Sequence, residues 1–269
     1  ILTQKTTFSA EPVNDPQSCV ALGEPTNCQL QVDTFFQANP NLESEQSTQF
    51  SIGVVWDPLE WLDMSLDYYS IEVDNTINQI TPQAIINSDL DPATYGPIPA
   101  GMSITRRANG AIDQIVAGYA NQGNLETDGL DLRVNTNFDL GNYGQLRNQL
   151  AVSYINSYDI DDGLGNITEF LDINGYPDRR ASLYNTWTVG DFSVGWNINY
   201  IGENGPVGGY ATNDLQLTWN APWDASISVG ATNVGDRYPP LVAFDGRPWN
   251  FYLYDAYGRT TYLRYTQTF

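Results

Sequence analysis

From Ala181 to Ile201 the chain switches between apolar and polar at nearly every step. Ala181, Leu183, Asn185, Trp187 and Val189 share one face, and Ser182, Tyr184, Thr186 and Thr188 share the other. Beyond Gly190-Asp191 the split is cleaner: Phe192, Val194, Trp196, Ile198 and Tyr200 oppose Ser193, Gly195, Asn197 and Asn199. Successive side chains of a strand point to opposite faces, so this pattern around a Gly-Asp pair predicts a tight β-hairpin. Each arm is about ten residues, long enough to cross a bilayer when tilted. The second face is small and polar rather than charged, as in a wall with lipid on one side and an aqueous lumen on the other.

The same alternation recurs along the chain. Phe50, Ile52, Val54 and Trp56 form one strand, which Asp57-Pro58 is expected to break. Leu62, Met64, Leu66 and Tyr68 oppose Asp63, Ser65, Asp67 and Tyr69. Further strands are predicted around 130–138, 146–158, 215–219, 227–231 and 262–269, which makes about nine in all. Turns near 57–60, 139–144, 190–191 and 221–224 are short, whereas connections near 74–110, 159–178, 203–210 and 233–258 are longer. Outer-membrane barrels pair short periplasmic turns with long extracellular loops, and that parity predicts a membrane barrel with Phe269 on the periplasmic side. A soluble sandwich has no reason to sort its loops in this way. Residues 1–48 show little alternation and read as a long extracellular loop, with barrel strands and loops over 49–269. The 74–110 insertion carries one expected helix, TPQAIINSDL, entered through Thr81-Pro82.

Composition sharpens this picture. Of 269 residues, 16% are charged and 13% aromatic, and Gly is plentiful; that suits β structure with long loops. The mean hydropathy of −0.35 does not exclude a membrane, because barrel strands are only half apolar. A net charge of −21 speaks against nucleic-acid partners, whose phosphates need Lys and Arg. Cys19 and Cys28 are the two cysteines; an oxidising compartment would join them in a short disulfide loop, with a pair of free thiols as the alternative. The opening ILTQKTTFSA does not look like a natural start, so a preceding segment is expected.

Four motifs in order carry a family resemblance. The block NPNLESEQSTQFSIGVVWDPLEWLDMSLDYYSIEVDNTI (39–77), the stretch NQGNLETDGLDLRV (121–134), the turn ATNVGDRYPP and the closing YDAYGRTTYLRYTQTF together resemble the barrel of TonB-dependent outer-membrane receptors. VNDPQSC in the first loop is similar to a Cys-bearing loop in one branch of these receptors. The resemblance implies the C-terminal portion of a 22-stranded transmembrane antiparallel β-barrel in the outer membrane of a Gram-negative bacterium. It also implies partners: earlier barrel strands and an N-terminal plug absent from this chain, TonB acting through that plug, outer-membrane lipid, and a small nutrient ligand. Gln267 departs from the pattern, since barrel-assembly signals usually carry an apolar residue two before the terminal Phe.

Catalytic chemistry is poorly supplied. Without histidine, neither a Ser-His triad nor a His-bearing metal site can be built, and there is no Gly-rich phosphate loop. DIDDGLGN (159–166) has the flavour of a calcium loop but lacks the spacing and closing Glu of an EF-hand. Asn166-Ile167-Thr168 fits a glycosylation sequon, a coincidence in a bacterial barrel. No enzyme, cofactor or metal site is expected. For binding, Tyr95, Tyr176, Tyr210, Trp249, Tyr252 and Tyr254 could stack on a ligand or instead pack loops and line a membrane interface. Arg106 and Arg107 could grip an anionic ligand such as a ferric chelate, or pair with nearby carboxylates. Asp67, Arg133, Arg147 and Arg264 are expected to face the lumen and hold the plug. The transporter reading thus stands against two rivals, a secreted all-β carbohydrate-binding or adhesion protein and a plugless diffusion porin.

Overall fold

The chain folds in a computed structural model that describes residues 6–161, 167–171 and 173–268. It divides into two compact units. One comprises the described residues within Ile1–Thr48, Glu72–Leu125 and Ile160–Thr168; the other comprises those within Gln49–Ile71, Glu126–Asp159 and Glu169–Phe269.

In chain order the strands of the first unit are β1 (Thr7–Val13) and β2 (Leu30–Gln37), with helix α1 (Pro16–Ala21) between them. After β3 (Gln46–Leu59) and β4 (Leu62–Asp74) come β5 (Ile77–Ile80), α2 (Pro82–Leu90), α3 (Pro92–Tyr95), β6 (Ser103–Arg106) and β7 (Ile112–Asn121). Strands β1, β2, β7 and β5 form one sheet in that order, with β6 also paired to β7. The described part of residues 1–48, read from sequence as a loop, thus contributes β1, α1 and β2 to a unit with its own core of Val13, Val32, Ile80, Ile85, Ile86, Ile112 and Ile115. The alternation there is short, and β2 pairs in parallel with β7 across roughly 80 residues, a pairing no local pattern signals (Thr34 lies beside Ile115). Helix α2 is entered as its sequence predicts: Thr81 Oγ1 accepts from the Ala84 N–H, and Pro82 occupies the first turn.

The second unit is one sheet. The remaining strands of the chain are β8 (Asn124–Asp139), β9 (Gln145–Asp161), β10 (Ile167–Glu169), β11 (Arg179–Val189), β12 (Phe192–Ile201), β13 (Tyr210–Ala221), β14 (Ala225–Thr232) and β15 (Thr260–Gln267). Among the described residues nine strands run β15-β14-β13-β12-β11-β9-β8-β4-β3, and β10 pairs with β9. The path is open, with β3 and β15 at its two ends. Pro58 does not end β3, which continues one residue further to Leu59; at the next-to-last position, beside the turn, a residue that cannot donate disturbs little of the ladder.

Register turns the alternation into two continuous faces. Laterally paired Leu146, Trp187, Val194, Leu217, Val229 and Leu263 make one apolar row. The next row, Val189, Phe192, Trp219, Ile227 and Tyr265, ends at the short turns. Trp223 meets Trp219 edge-on with ring centroids 5.3 Å apart, and Trp187 Nε1 donates to the Tyr143 carbonyl (2.7 Å). These rings form an aromatic band like those at membrane interfaces. The opposite face carries Thr188, Ser193, Thr218, Ser228 and Arg264 in register, with Arg147 beside Thr186. Tyr262 lies flat over Gly230 on that face, where an added Cβ would meet its ring at 2.5 Å, and its hydroxyl donates to Gln216 Oε1 (2.7 Å). Gln267 belongs to the apolar face, yet its amide donates to the Trp223 and Asp224 carbonyls (3.0 and 3.3 Å) and so closes the last short turn. Phe269 and the core of the DIDDGLGN segment, residues 162–166, lie outside the described residues.

Candidate functional site

The long-loop end of the nine-stranded sheet is built around Asn204, a fully buried side chain in the β12–β13 loop. Its Nδ2 donates to the Tyr254 hydroxyl (2.9 Å) and to the Gly202 carbonyl (3.3 Å), while its Oδ1 accepts from the Gly175 N–H (3.0 Å). One amide therefore ties three loops together. Beside it, Val207, Tyr210 and Tyr254 form a buried cluster capped by Ile201, Val242, Trp249 and Leu253. Tyr210 and Tyr254 meet edge-to-face at 5.1 Å, and the Arg237 guanidinium sits 5.0 Å from the Tyr210 ring centre.

Around this anchored base lies open aromatic surface. A cavity of about 720 Å³ runs along Trp249–Tyr257. A second, of about 430 Å³, lies over the polar sheet face at Asn199, Thr212 and Asp214. Leu253, Asp255 and Tyr257 border both, so the two adjoin. Tyr252 and Tyr257 are 73% and 88% exposed, which leaves their rings free for a ligand. Phe251 stacks near Tyr252 at 4.0 Å, and Arg247 covers the Phe251 ring at 3.7 Å. The charged side chains bordering the two cavities are carboxylates, Asp214 and Asp255. Asp255 Oδ1 accepts from the Tyr257 N–H (2.9 Å), and Asp214 Oδ1 accepts from the Asn233 N–H (2.8 Å).

The candidate residues read from the sequence therefore fall into different environments. Tyr210, Trp249, Tyr252 and Tyr254 are brought together, but Tyr210 and Tyr254 are buried supports and only Tyr252 is well exposed. Tyr176 stands in a separate trio with Tyr158 and Phe170, at 5.7 and 4.9 Å. Tyr95, Arg106 and Arg107 belong to the five-stranded unit. There Arg106 makes a fork on Asp15 (2.7 and 3.4 Å) and also holds Asp89 (2.8 Å). Arg107 pairs with Asp113 (2.9 Å) at the surface. Burial pushes the Asp15 carboxyl up, but hydrogen bonds from Arg106 and Ser18 and the guanidinium charge outweigh it and hold the group below its ordinary value. Cys19 and Cys28 form a disulfide, with Cα atoms 5.9 Å apart. Sequence reasoning did not single out Asn204, Asp214, Asp255 or Tyr257. Nothing local marks them, since each acquires its role when separate loops meet. Among the described residues no group of three or more acidic or cysteine side chains is placed to hold a metal ion. No helix among them is long and apolar enough to cross a membrane, which says nothing of a β-barrel.

A sheet with one apolar and one polar face, short turns at one end and folded loops at the other, defines a segment of transmembrane β-barrel wall. Residues 8–234 match the family model described as TonB dependent receptor-like, beta-barrel, and the chain belongs to that family. Its members are outer-membrane receptors and transporters of Gram-negative bacteria, not enzymes. The fold is similar to the siderophore receptor PirA from Acinetobacter baumannii (TM-score 0.60, 13% identity, 97% of this chain and 35% of that one). It is also similar to the ferric enterobactin receptor PfeA from Pseudomonas aeruginosa (0.60, 16%, 90% and 33%) and to the FrpB iron transporter from Neisseria meningitidis (0.55, 13%, 87% and 32%). The chain thus spans about a third of the length of these structures. No curated protein matches the sequence.

Proposed function

We propose that this chain is the C-terminal part of the barrel of a transporter that imports a scarce nutrient across the outer membrane, driven by TonB. In this reading the rows from Leu146 to Leu263 and from Val189 to Tyr265 face lipid, the Thr188–Arg264 row faces the lumen, and the C-terminus is periplasmic. Earlier strands continue the sheet beyond β3 and β15, and a plug fills the lumen against Asp67, Arg133, Arg147 and Arg264. Residues 1–48 lie outside the cell with the other long connections. The observation that carries the reading is the register itself, which places large apolar side chains such as Leu217 and Leu263 in an exposed row with no core to enter.

The loop cavities are the proposed capture site, with Tyr252, Trp249 and Tyr257 as ligand-stacking rings and Tyr210 and Tyr254 as their support. An iron chelate comes first among the candidate nutrients, ahead of a vitamin or an oligosaccharide, because the structural neighbours are described as siderophore receptors and an iron transporter. Asp214 and Asp255 border the cavities while the Arg247 and Arg237 guanidinium groups stand against their lining rings Phe251 and Tyr210, so the local charge is mixed and the site suits chelates that present both polar and apolar faces. The test is uptake of radiolabelled iron chelates of differing charge by cells carrying the full receptor. Uptake should cease when TonB is deleted and fall when Tyr252 and Tyr257 are both changed to Ala. Uptake that persists without TonB rejects the transporter reading.

A further inference from the structure

The five-stranded unit holds its own cavity of about 380 Å³, bordered by α2, the Tyr95–Pro99 segment and the end of β7. That volume falls within the range of small-ligand pockets, about 300–1,000 Å³. All ten side chains around it are uncharged, in a chain whose net charge is −21. An ion of either sign would find no counter-charge there. A purely apolar ligand fits no better, because it would cover polar groups without pairing them.

Those polar groups are available. The Tyr95 hydroxyl and the Gln122 side-chain amide make no hydrogen bond among the described residues, though the Gln122 backbone is fully used: its N–H donates to Thr76 O (2.8 Å), and its carbonyl accepts from Thr76 Oγ1 and Asn78 Nδ2. Asn87 spends its carbonyl on Gln83 Nε2 (3.0 Å), which leaves its NH₂ with two donors. By contrast, Asn121 is consumed by Glu43 and Asn75. Beside the free donors lie an apolar wall of buried Ile80 and Ala120 and the half-exposed ring of Tyr95.

The cavity is also fixed before any ligand arrives. Pro97 and Pro99 lock two backbone φ angles after Tyr95, while Ile98 between them packs on the unit's core. Ser88 Oγ donates to the Tyr95 carbonyl (3.2 Å), and Asp91 caps the short helix that ends in Tyr95 (Thr94 N–H, 3.2 Å).

We propose that this cavity binds a neutral saccharide unit, its ring lying on Tyr95 and its hydroxyls meeting Asn87 and Gln122. A neutral polyhydroxylated ring matches an uncharged wall, unpaired amide groups and an aromatic face at once. The site is distinct from the aromatic loop cavities and does not depend on what those capture.

The test is saturation-transfer NMR on the full receptor in a zwitterionic detergent without sugar headgroups. Maltotriose, cellotriose and N-acetylchitotriose are the probes, and trigalacturonate is the charged control. At least one neutral trisaccharide should bind saturably, with a Kd under about 10 mM. Tyr95→Ala and Gln122→Ala should each weaken it about tenfold or more, and Tyr95→Phe by no more than about threefold. Tyr95 is exposed, so its replacement leaves the core intact, and unchanged hydrogen exchange in β7 verifies this. The proposal is overturned if no neutral probe saturates, if trigalacturonate binds equally well, or if Tyr95→Ala leaves affinity unaltered.

Discussion

Arg106 Nη1 stands 2.7 Å from an oxygen of Asp15, a carboxylate that water does not reach. The same carboxylate caps α1 by accepting from the Ser18 N–H (3.0 Å) and from its hydroxyl, while Ser18 Oγ accepts from the Ile112 N–H (2.8 Å). One ion pair thus connects β6, α1 and β7. Removing one partner of a buried pair strands a charge, so Arg106→Ala should destabilise this unit by about 3–5 kcal/mol, read by hydrogen exchange in β7. Arg106→Lys should lie between, because it keeps the charge and loses the fork.

The pair also sets an acid limit. The Asp15 pKa is held below its ordinary value of 3.8, so folding binds fewer protons at this group than unfolding does. Its contribution is complete above that value and is lost as pH falls through the lower folded-state value. Exchange protection in β7 should therefore hold from about pH 7 to pH 4 and decline below. Equal protection at pH 6 and pH 3 contradicts this account.

Reducing the Cys19–Cys28 bond should loosen the same unit. It closes a loop of sequence separation 9, which in the chain-entropy picture is worth roughly 2–3 kcal/mol. Under dithiothreitol, protease cutting should begin between the two cysteines. The Cys19→Ser, Cys28→Ser double variant should show the same cutting without reductant. No difference between oxidised and reduced protein would mean that the core around Ile85 and Ile115 suffices alone.

The wall was legible because a strand with oil on one face and water on the other must alternate, and Phe192 to Tyr200 does so without a break. The small sheet was not, because β7 buries both faces: Ile112, Ile115, Ala117 and Ala120 are all buried in a run that reads as continuous. Sequence likewise grouped Tyr252 with Tyr254, which differ by two positions and end on opposite sides of the loop, one in solvent and one against Asn204. Which loop tyrosine becomes a support depends on another loop 50 residues away, and no local pattern carries that information. Gln267 reads as a defect until the carbonyls of the Trp223-Asp224 turn are placed beside its amide.

Tyr252 and Tyr254 should accordingly separate stability from ligand capture. Tyr254→Phe deprives buried Asn204 of an acceptor, and Asn204→Ala in addition leaves the Gly175 N–H unpaired. Each should cost about 1–3 kcal/mol of loop stability, seen as faster exchange at Gly175 and around Tyr254. Tyr252→Ala removes a largely exposed ring that meets Phe251 and Phe244, and should change stability by about 1 kcal/mol or less while weakening ligand capture. If Tyr252→Ala instead unfolds the loops, the exposed ring is a structural element and the capture site lies elsewhere.

Leu217 and Thr218 are adjacent, and the whole membrane reading rests on their pointing opposite ways. Leu217 sits between Val194 and Val229 in the apolar row; Thr218 sits between Ser193 and Ser228, with its hydroxyl 2.9 Å from Ser228 Oγ. In the full receptor refolded into phospholipid vesicles, Leu217→Arg should lower stability by about 1–2 kcal/mol, less than the about 2–4 kcal/mol of a cation at mid-bilayer because Leu217 stands one row in from the aromatic band. Thr218→Arg should be far milder, because the lumen offers water to the guanidinium. The heat-modifiable shift on gels across a urea series reads both variants. Equal tolerance of the two arginines would therefore remove the lipid from one face of this wall.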